Sequence, residues 1–226
     1  MSTKISITSS VPAEETLVLL GTKKTSWKGY GLKAEDLGFI KKAINKKEKE
    51  LVEINQYNRR IVVQLIKDKK NKNLQNEWVR KAGAALLPGV KANRESKITI
   101  VDVDNNADAA LALAEGMALG NYIFNKYKTK KDKTNVSLDA IRIFSKLLKK
   151  AKVIELNNLN MGTAYARSLV NEPLSYLTAT KLSAEIRKLG KEAGFKVEVF
   201  TKKKIQALKM GGLLAVNQGS LDPPTF

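Results

Sequence analysis

Two carboxylates one residue apart, Asp102 and Asp104, close an apolar run at residues 97–104. They are the pair best placed to hold a hard cation, because paired carboxylates in a turn are how calcium and magnesium sites begin. As an EF-hand loop the run fails: Ala107 stands where the turn glycine belongs and Leu113 where the bidentate glutamate belongs. The competing reading is that Asp104 and its neighbours cap the helix that follows, since a helix N-terminus favours negative charge; that reading is adopted. Gly116 and Gly120 form a G-x-x-x-G pair, read as close packing of an amphipathic helix against a sheet rather than as membrane dimerisation. Gly29-Tyr30-Gly31 lacks the third glycine of a dinucleotide loop, and no Walker A sequence is present.

Composition removes whole classes of chemistry. With no cysteine and no histidine, soft-ligand zinc sites, Cys or Ser/His nucleophile pairs and histidine proton shuttles are excluded. Chemistry in these 226 residues would have to use carboxylates, Lys, Arg, Tyr or hydroxyls. The 41 Lys+Arg against 22 Asp+Glu leave a formal charge of +19, which draws polyanions. The excess is mostly Lys and falls in separate clusters: Lys46-Lys47, 67–72, 126–133, 146–152 and 202–204. None is interleaved with aromatics as a base-stacking platform would be, so the charge reads as a solvated lysine-rich surface with at most weak, non-specific nucleic-acid binding. No stretch approaches the roughly 20 apolar residues that span a bilayer, and residues 1–11 lack a signal-peptide core; a cytoplasmic protein without membrane contact is expected.

The elements that position these residues follow from period and punctuation. Short apolar runs at 4–9 and 16–21 read as strands. Leu37, Ile40 and Ile44 fall at helical spacing within 36–49. LVEINQY and RRIVVQLI read as a hairpin turning at Asn58. A helix is expected at 76–89, stopped by Pro88-Gly89. The β-branched run 97–104 is a buried strand that runs straight into an Ala- and Leu-rich helix at 105–128 capped by Asn105 or Asn106. Strand leading into helix marks an α/β fold with parallel strands. TKKDKTN at 129–135 reads as a charged loop and LDAIRIF as a strand. A long helix is expected from 146 to 169 with Leu147, Leu148, Ala151, Ile154 and Leu169 inward. A domain boundary is placed near residue 150. Beyond it, Thr178 starts a helix that Gly194 stops, FKVEVF is a strand, KKKIQALKM a short helix, and LLAVNQGSLDPPTF runs on without a further element.

Three stretches carry a resemblance: AEGMALGNYIFNKYKT at 114–129, ARSLVNEPLSYLT at 166–178 and KMGGLLAVNQGSLDPP at 209–224. In order and approximate spacing they resemble successive landmarks of the leucyl aminopeptidase (cytosol aminopeptidase) family. The resemblance is firm from Asn76 onward. It implies an N-terminal mixed-sheet α/β domain similar to the macro-domain fold over 1–150. A linking helix and the opening part of a catalytic domain would then occupy 151–226, truncated because so little sheet is present to cover the apolar strands. It also implies, for a full-length parent, peptide substrates cleaved at the N-terminus, two divalent metals (Zn or Mn) sharing an attacking water, a lysine at the oxyanion, and a homo-hexamer.

The family's ligands come from a K-G-I-T-F-D-S-G-G stretch, a following aspartate and an N-T-D-A-E-G-R stretch. The resemblance places all of these after the 209–224 landmark. Asn106-Ala107-Asp108-Ala109 echoes N-T-D-A, but Ala110, Leu111 and Ala112 replace the Glu, Gly and Arg. Lys97 and Asp102 repeat the Lys-to-Asp spacing without the Gly-Gly. No catalytic, cofactor-binding or metal-ligating residue is therefore assigned in this chain. The expectation is a non-catalytic front part of a metal-dependent leucyl aminopeptidase. The alternatives are a basic polyanion-binding module and a stand-alone macro-like domain for an ADP-ribose type ligand, for which no glycine-rich phosphate loop is evident.

Overall fold

The structure, a computed structural model, describes residues 3–47, 49–129 and 138–226. The charged loop expected at 129–135 lies, from residue 130 on, outside the described residues, as does part of the 126–133 lysine cluster; the side chains of Lys46 and Lys47 are not described either. The chain divides into two compact units, Met1–Tyr165 and Ala166–Phe226.

The first unit is built on one six-stranded sheet ordered β1-β6-β5-β2-β4-β3. Its strands are β1 (Lys4–Ile7), β2 (Thr16–Gly21), β3 (Leu51–Asn55), β4 (Arg60–Leu65), β5 (Lys97–Asp102) and β6 (Ala140–Phe144). All pairings are parallel except the β3–β4 hairpin, so the sheet is mixed. The helices are α1 (Ala34–Lys47), α2 (Lys72–Ala92), α3 (Ala107–Gly120) and α4 (Lys150–Val170), the last running past the unit division. Both faces of the central strands are buried, which is why those strands read as continuous apolar runs. In β2, Val18 and Leu20 join the core beneath α2, α3 and α4, while Leu17 and Leu19 join the core beneath α1 with Ile40 and Ile44. The hairpin turns where Asn58 was expected, with the Gln56 N–H donating to the Arg59 carbonyl at 2.9 Å.

Several elements depart from expectation, each for a local reason. Helix α2 does not stop at Pro88-Gly89 but runs through Pro88 to Ala92. Proline deprives only the carbonyl one turn back, at exposed Ala84, of its donor, and the buried side chains of Leu86, Leu87 and Val90 hold the last turn on the core. Helix α3 is shorter than expected. It ends at Gly120 because Asn121 turns inward, its Nδ2 donating to Thr3 Oγ1 and the Leu138 carbonyl, both at 3.0 Å.

Helix α4 begins at Lys150 and presents Val153, Leu156 and Asn160 to the interior; of the residues expected there, Leu148, just ahead of the helix, packs against the core. Leu147 is 62% and Ile154 51% exposed. The rotation is set by Asn157. Its Oδ1 accepts from the Ile5 N–H at 3.0 Å and its Nδ2 donates to the Ile5 carbonyl at 2.8 Å, so one side-chain amide completes the outer edge of β1 in place of a neighbouring strand.

The glycine pair of α3 packs against α2 rather than the sheet. A Cβ at Gly116 would fall 1.8 Å from the Arg80 carbonyl oxygen, and one at Gly83 would fall 2.2 Å from that of Leu113. The two helices therefore cross in backbone contact at these residues. Arg80 reinforces the crossing through Glu115 at 2.8 Å, and Lys72 pairs with Asp108.

The second unit carries α5 (Ala179–Ala193), α6 (Lys202–Ala207) and α7 (Gly211–Asn217). Helix α5 starts and stops as expected: Thr178 Oγ1 accepts from the Lys181 N–H, and Gly194 takes φ 79°, a left-handed conformation natural to glycine. FKVEVF is not a strand. Apart from Phe200, which exchanges two main-chain hydrogen bonds with Phe226, it has no ladder partner among the described residues, and a strand needs one. Helix α7 was not expected; its two glycines fall in the first turn, where they weaken a helix least.

Candidate functional site

The loops at the C-terminal ends of parallel strands are where α/β folds place ligands, and the polar residues singled out in the sequence gather there. β5 ends in Asp102, which is 6% exposed. Its Oδ1 accepts from the Asn106 N–H at 2.7 Å and its Oδ2 from Ser145 Oγ, just past β6, at 2.7 Å. Asp104 Oδ2 accepts from the Thr22 N–H at 2.9 Å and from Thr25 Oγ1, both just past β2. Asn105 takes φ 58°, and Asn106 caps α3 by accepting from the Ala109 N–H at 3.2 Å.

Asn106 is thus the cap, one of the two asparagines expected. Asp102 and Asp104 act as staples that bind the loop after β5 to the loops after β6 and β2. Thr22, Thr25 and Ser145 were not singled out in the sequence; the only signal was their position directly after a strand end. Burial raises the Asp102 carboxyl above its ordinary range, opposed by the hydrogen bonds from Ser145 and Asn106 and helped by the charge of Asp104. Tyr30 is raised by burial and then by Asp102 and Asp104, so its phenol shares this end of the sheet.

Gly29, Tyr30 and Gly31 all have positive φ, and the turn is pinned by Arg59, which donates to the Tyr30 carbonyl at 2.5 Å and the Pro12 carbonyl at 3.0 Å. The Arg59 guanidinium lies 2.1 Å from where a Cβ at Gly31 would stand, while Gly29 is exposed. Two cavities flank the staples. One of about 690 Å³ is lined by Lys69, Asn71, Lys72, Asp104, Asn106 and Asp108, and one of about 590 Å³ by Lys23, Lys24, Glu50, Lys67 and Asp68 among others. One ion pair lies in each: Lys72 with Asp108, and Lys67 with Glu50 at 2.8 Å.

The remaining candidates do not converge. Lys97 and Asp102 sit at opposite ends of β5, and Asp108 is taken up by Lys72. Among the described residues no three His, Cys, Asp or Glu side chains come together, so the residues present do not fit a pair of divalent metals. Lysine meets an aromatic ring at Lys126 over Tyr127 in the first unit and at Lys181 over Tyr176 and Lys204 over Phe200 in the second. Among the described residues no helix is long and apolar enough to cross a membrane.

At the opposite end of the sheet, Arg60 is 7% exposed and held by Glu95 Oε2 at 2.6 Å and Glu53 Oε1 at 3.0 Å. Thr16 Oγ1 donates to Glu95 Oε1 at 2.6 Å. This network ties β2, β3 and β4 to the segment before β5.

The landmark stretches fold into defined local structure. In 166–178 the Pro173 carbonyl accepts from the N–H groups of Tyr176 and Leu177, both at 2.9 Å, ahead of the Thr178 cap. In 209–224, Asn217 at the end of α7 donates through Nδ2 to the Asp222 carbonyl at 2.9 Å.

Comparison with known proteins is consistent across sequence and structure. Residues 67–131 match the N-terminal domain of the cytosol aminopeptidase family, and residues 164–226 match its catalytic domain. A probable cytosol aminopeptidase of Chlorobium limicola is 38% identical over 171 residues, covering 65% of this chain and 33% of the relative. One of Sulfurihydrogenibium is 31% identical over 166 residues, covering 70% and 32%. The chain thus spans about a third of the length of the curated relatives it matches. In fold it is similar to a tomato leucine aminopeptidase mutant, with a TM-score of 0.78 at 17% identity over 99% of this chain and 49% of the other. It is also similar to the bottromycin maturation enzyme BotP in complex with Mn, with a TM-score of 0.69 at 21% identity over 95% and 44%.

Proposed function

Because the chain belongs to the cytosol aminopeptidase family, carrying its N-terminal domain and the start of its catalytic domain, we propose that it is the non-catalytic front part of a metal-dependent leucyl aminopeptidase. The whole enzyme would take peptides as substrates, hold two divalent ions of zinc or manganese on residues this chain does not supply, assemble as a homo-hexamer and work in the cytoplasm. The domain division proposed is an N-terminal macro-like domain over 1–150 and a linking helix with the first part of the catalytic domain over 151–226.

The observation that carries the reading is the surface of the second unit. Val170, Leu174, Val216, Leu221 and Phe226 are each at least 67% exposed, while only Gly190, Ile205 and Pro224 of that unit are buried. A unit with this much apolar surface and so small a core needs further polypeptide to cover it. The family match over 164–226 supports reading that polypeptide as the rest of a catalytic domain.

The test is gain of function by completion. The chain alone should not hydrolyse leucine p-nitroanilide with zinc or manganese present. Joined after Phe226 to the remaining catalytic segment of the Chlorobium limicola relative, it should gain hydrolysis that a chelator abolishes. Turnover by the chain alone, or a folded chimera whose activity ignores the chelator, would overturn the proposal.

A further inference from the structure

The two edges of the sheet are finished differently. At β1 the outward main-chain groups of Ile5 are taken up by the Asn157 amide. At β3 nothing comparable is present among the described residues. The ladder to β4 is anchored by Leu65 N donating to the Glu50 carbonyl and Gln56 N to the Arg59 carbonyl, with Val52 opposite Val63 and Ile54 opposite Ile61. In an antiparallel ladder, alternate residues face the partner strand. Residues 50, 52, 54 and 56 therefore bond to β4, and Leu51, Glu53 and Asn55 turn their N–H and carbonyl groups outward. An edge in this state is a template for another strand.

We propose that β3 pairs with β3 of a second copy of this chain, antiparallel about a twofold axis through Glu53. The sequence LVEIN is self-complementary in that register. The outward groups match, Leu51 with the second copy's Asn55 and Glu53 with the second copy's Glu53. Val52, 4% exposed, stands opposite the second copy's Ile54, 8% exposed; both are already buried beneath α1, so the pairing on this face rests on the main-chain hydrogen bonds. On the other face, Leu51 is 38% exposed and Tyr57, at the hairpin tip, is fully exposed; the pairing brings each Leu51 diagonally beside the second copy's Tyr57, within reach of an aromatic ring. The like charges at the centre are each partly offset by Arg60, whose Nη1 lies 3.0 Å from Glu53 Oε1 and which it shares with Glu95. An unrelated strand would have to reproduce this match; a second copy carries it by symmetry. The pairing does not depend on the aminopeptidase reading.

Sedimentation equilibrium of the full chain over about 1 to 200 µM should show a monomer–dimer equilibrium, with amide exchange at Leu51, Glu53 and Asn55 slowing as the dimer fills. Asn55→Pro removes an outward N–H without touching the ladder to β4 and should weaken dimerisation at least about tenfold with the melting temperature unchanged. Leu51→Glu, at an exposed position, places a carboxylate diagonally across from the second copy's Glu53, should do the same by like-charge repulsion, and serves if the proline variant does not fold. A monomer at every concentration overturns the proposal. So does a dimer that neither substitution weakens, or one in which these three amides exchange as fast as in the monomer, since either places the contact elsewhere.

Discussion

Gly116→Ala isolates what holds the helical layer together. On an ordinary helix face the change adds stability, by up to about 1 kcal/mol, because alanine loses less backbone freedom. Here the new Cβ would lie 1.8 Å from the Arg80 carbonyl oxygen and 2.7 Å from its carbonyl carbon. Both are backbone atoms, so no rotamer change relieves the clash, and α3 must retreat from α2 by more than an ångström. Leu113, Met117, Leu86 and Leu87 then lose close contacts, and overpacking of this kind costs about 1–3 kcal/mol, sometimes more. The expected net loss is about 2 kcal/mol, or about 4–8 °C in melting temperature for a unit of this size. Gly162 on α4 supplies the internal control. A Cβ there meets nothing within 4 Å, so Gly162→Ala should leave the melt unchanged or raise it slightly. Circular dichroism melts of the two variants beside the parent decide the matter. If Gly116→Ala behaves like Gly162→Ala, the helices do not cross in backbone contact and the packing described here is wrong.

The Asp102 carboxyl is raised by burial from its ordinary value of 3.8, so the folded state binds its proton more tightly than the unfolded state. Its contribution is therefore complete below about pH 4 and is lost as pH rises through the folded value. Urea melts across this range should show Asp102→Asn gaining on the parent as pH rises, and a constant difference would contradict the sign. Arg60→Ala strands the nearly buried Glu95 and should cost about 3–5 kcal/mol, whereas Lys67→Ala, which removes the exposed partner of Glu50, should cost about 0–1 kcal/mol; equal losses in denaturant melts would remove the distinction. Duplex DNA should bind weakly, without sequence preference, and release by about 0.2 M salt. A mobility-shift series that retains sub-micromolar binding at that concentration would point to a dedicated polyanion surface.

Much of the first unit is legible in the sequence, because its strands are short apolar runs between turn residues. Thr16–Gly21 and the hairpin at Asn58 are of this kind. The start of α2 is not, since Asn71 caps it at Lys72, four residues before the expected 76. What sequence period cannot show is which of two apolar stripes on a helix turns inward. On α4 that choice is made by Asn157 bonding to Ile5, far away in the chain. The end of α3 at Gly120 is likewise decided by Asn121 reaching Thr3 and Leu138. G-x-x-x-G announces a close approach but not to what, and only the position of Gly83 identifies α2. At the end of the sheet, Asp102 and Asp104 were conspicuous, yet their meaning rests on Thr22, Thr25 and Ser145, three hydroxyl-bearing residues with no pattern of their own. The second unit reads least well: an apolar run such as FKVEVF forms a strand only where a partner edge is on hand.

Of the six strands of this sheet β1 is made first, yet it has no place to dock until the last of them, β6, is made. Its ladder partner spans residues 140–144, and the amide that closes its outer side is 152 positions further along the chain than Ile5. The strands between them can collapse around β2 and β5 much earlier, while residues 4–7 wait unpaired. Contacts so distant in sequence form slowly, because a long loop must close before they stabilise anything. Docking of β1 is thus the closing event of folding for this sheet, and the interval before it is when a nascent chain has most need of a chaperone.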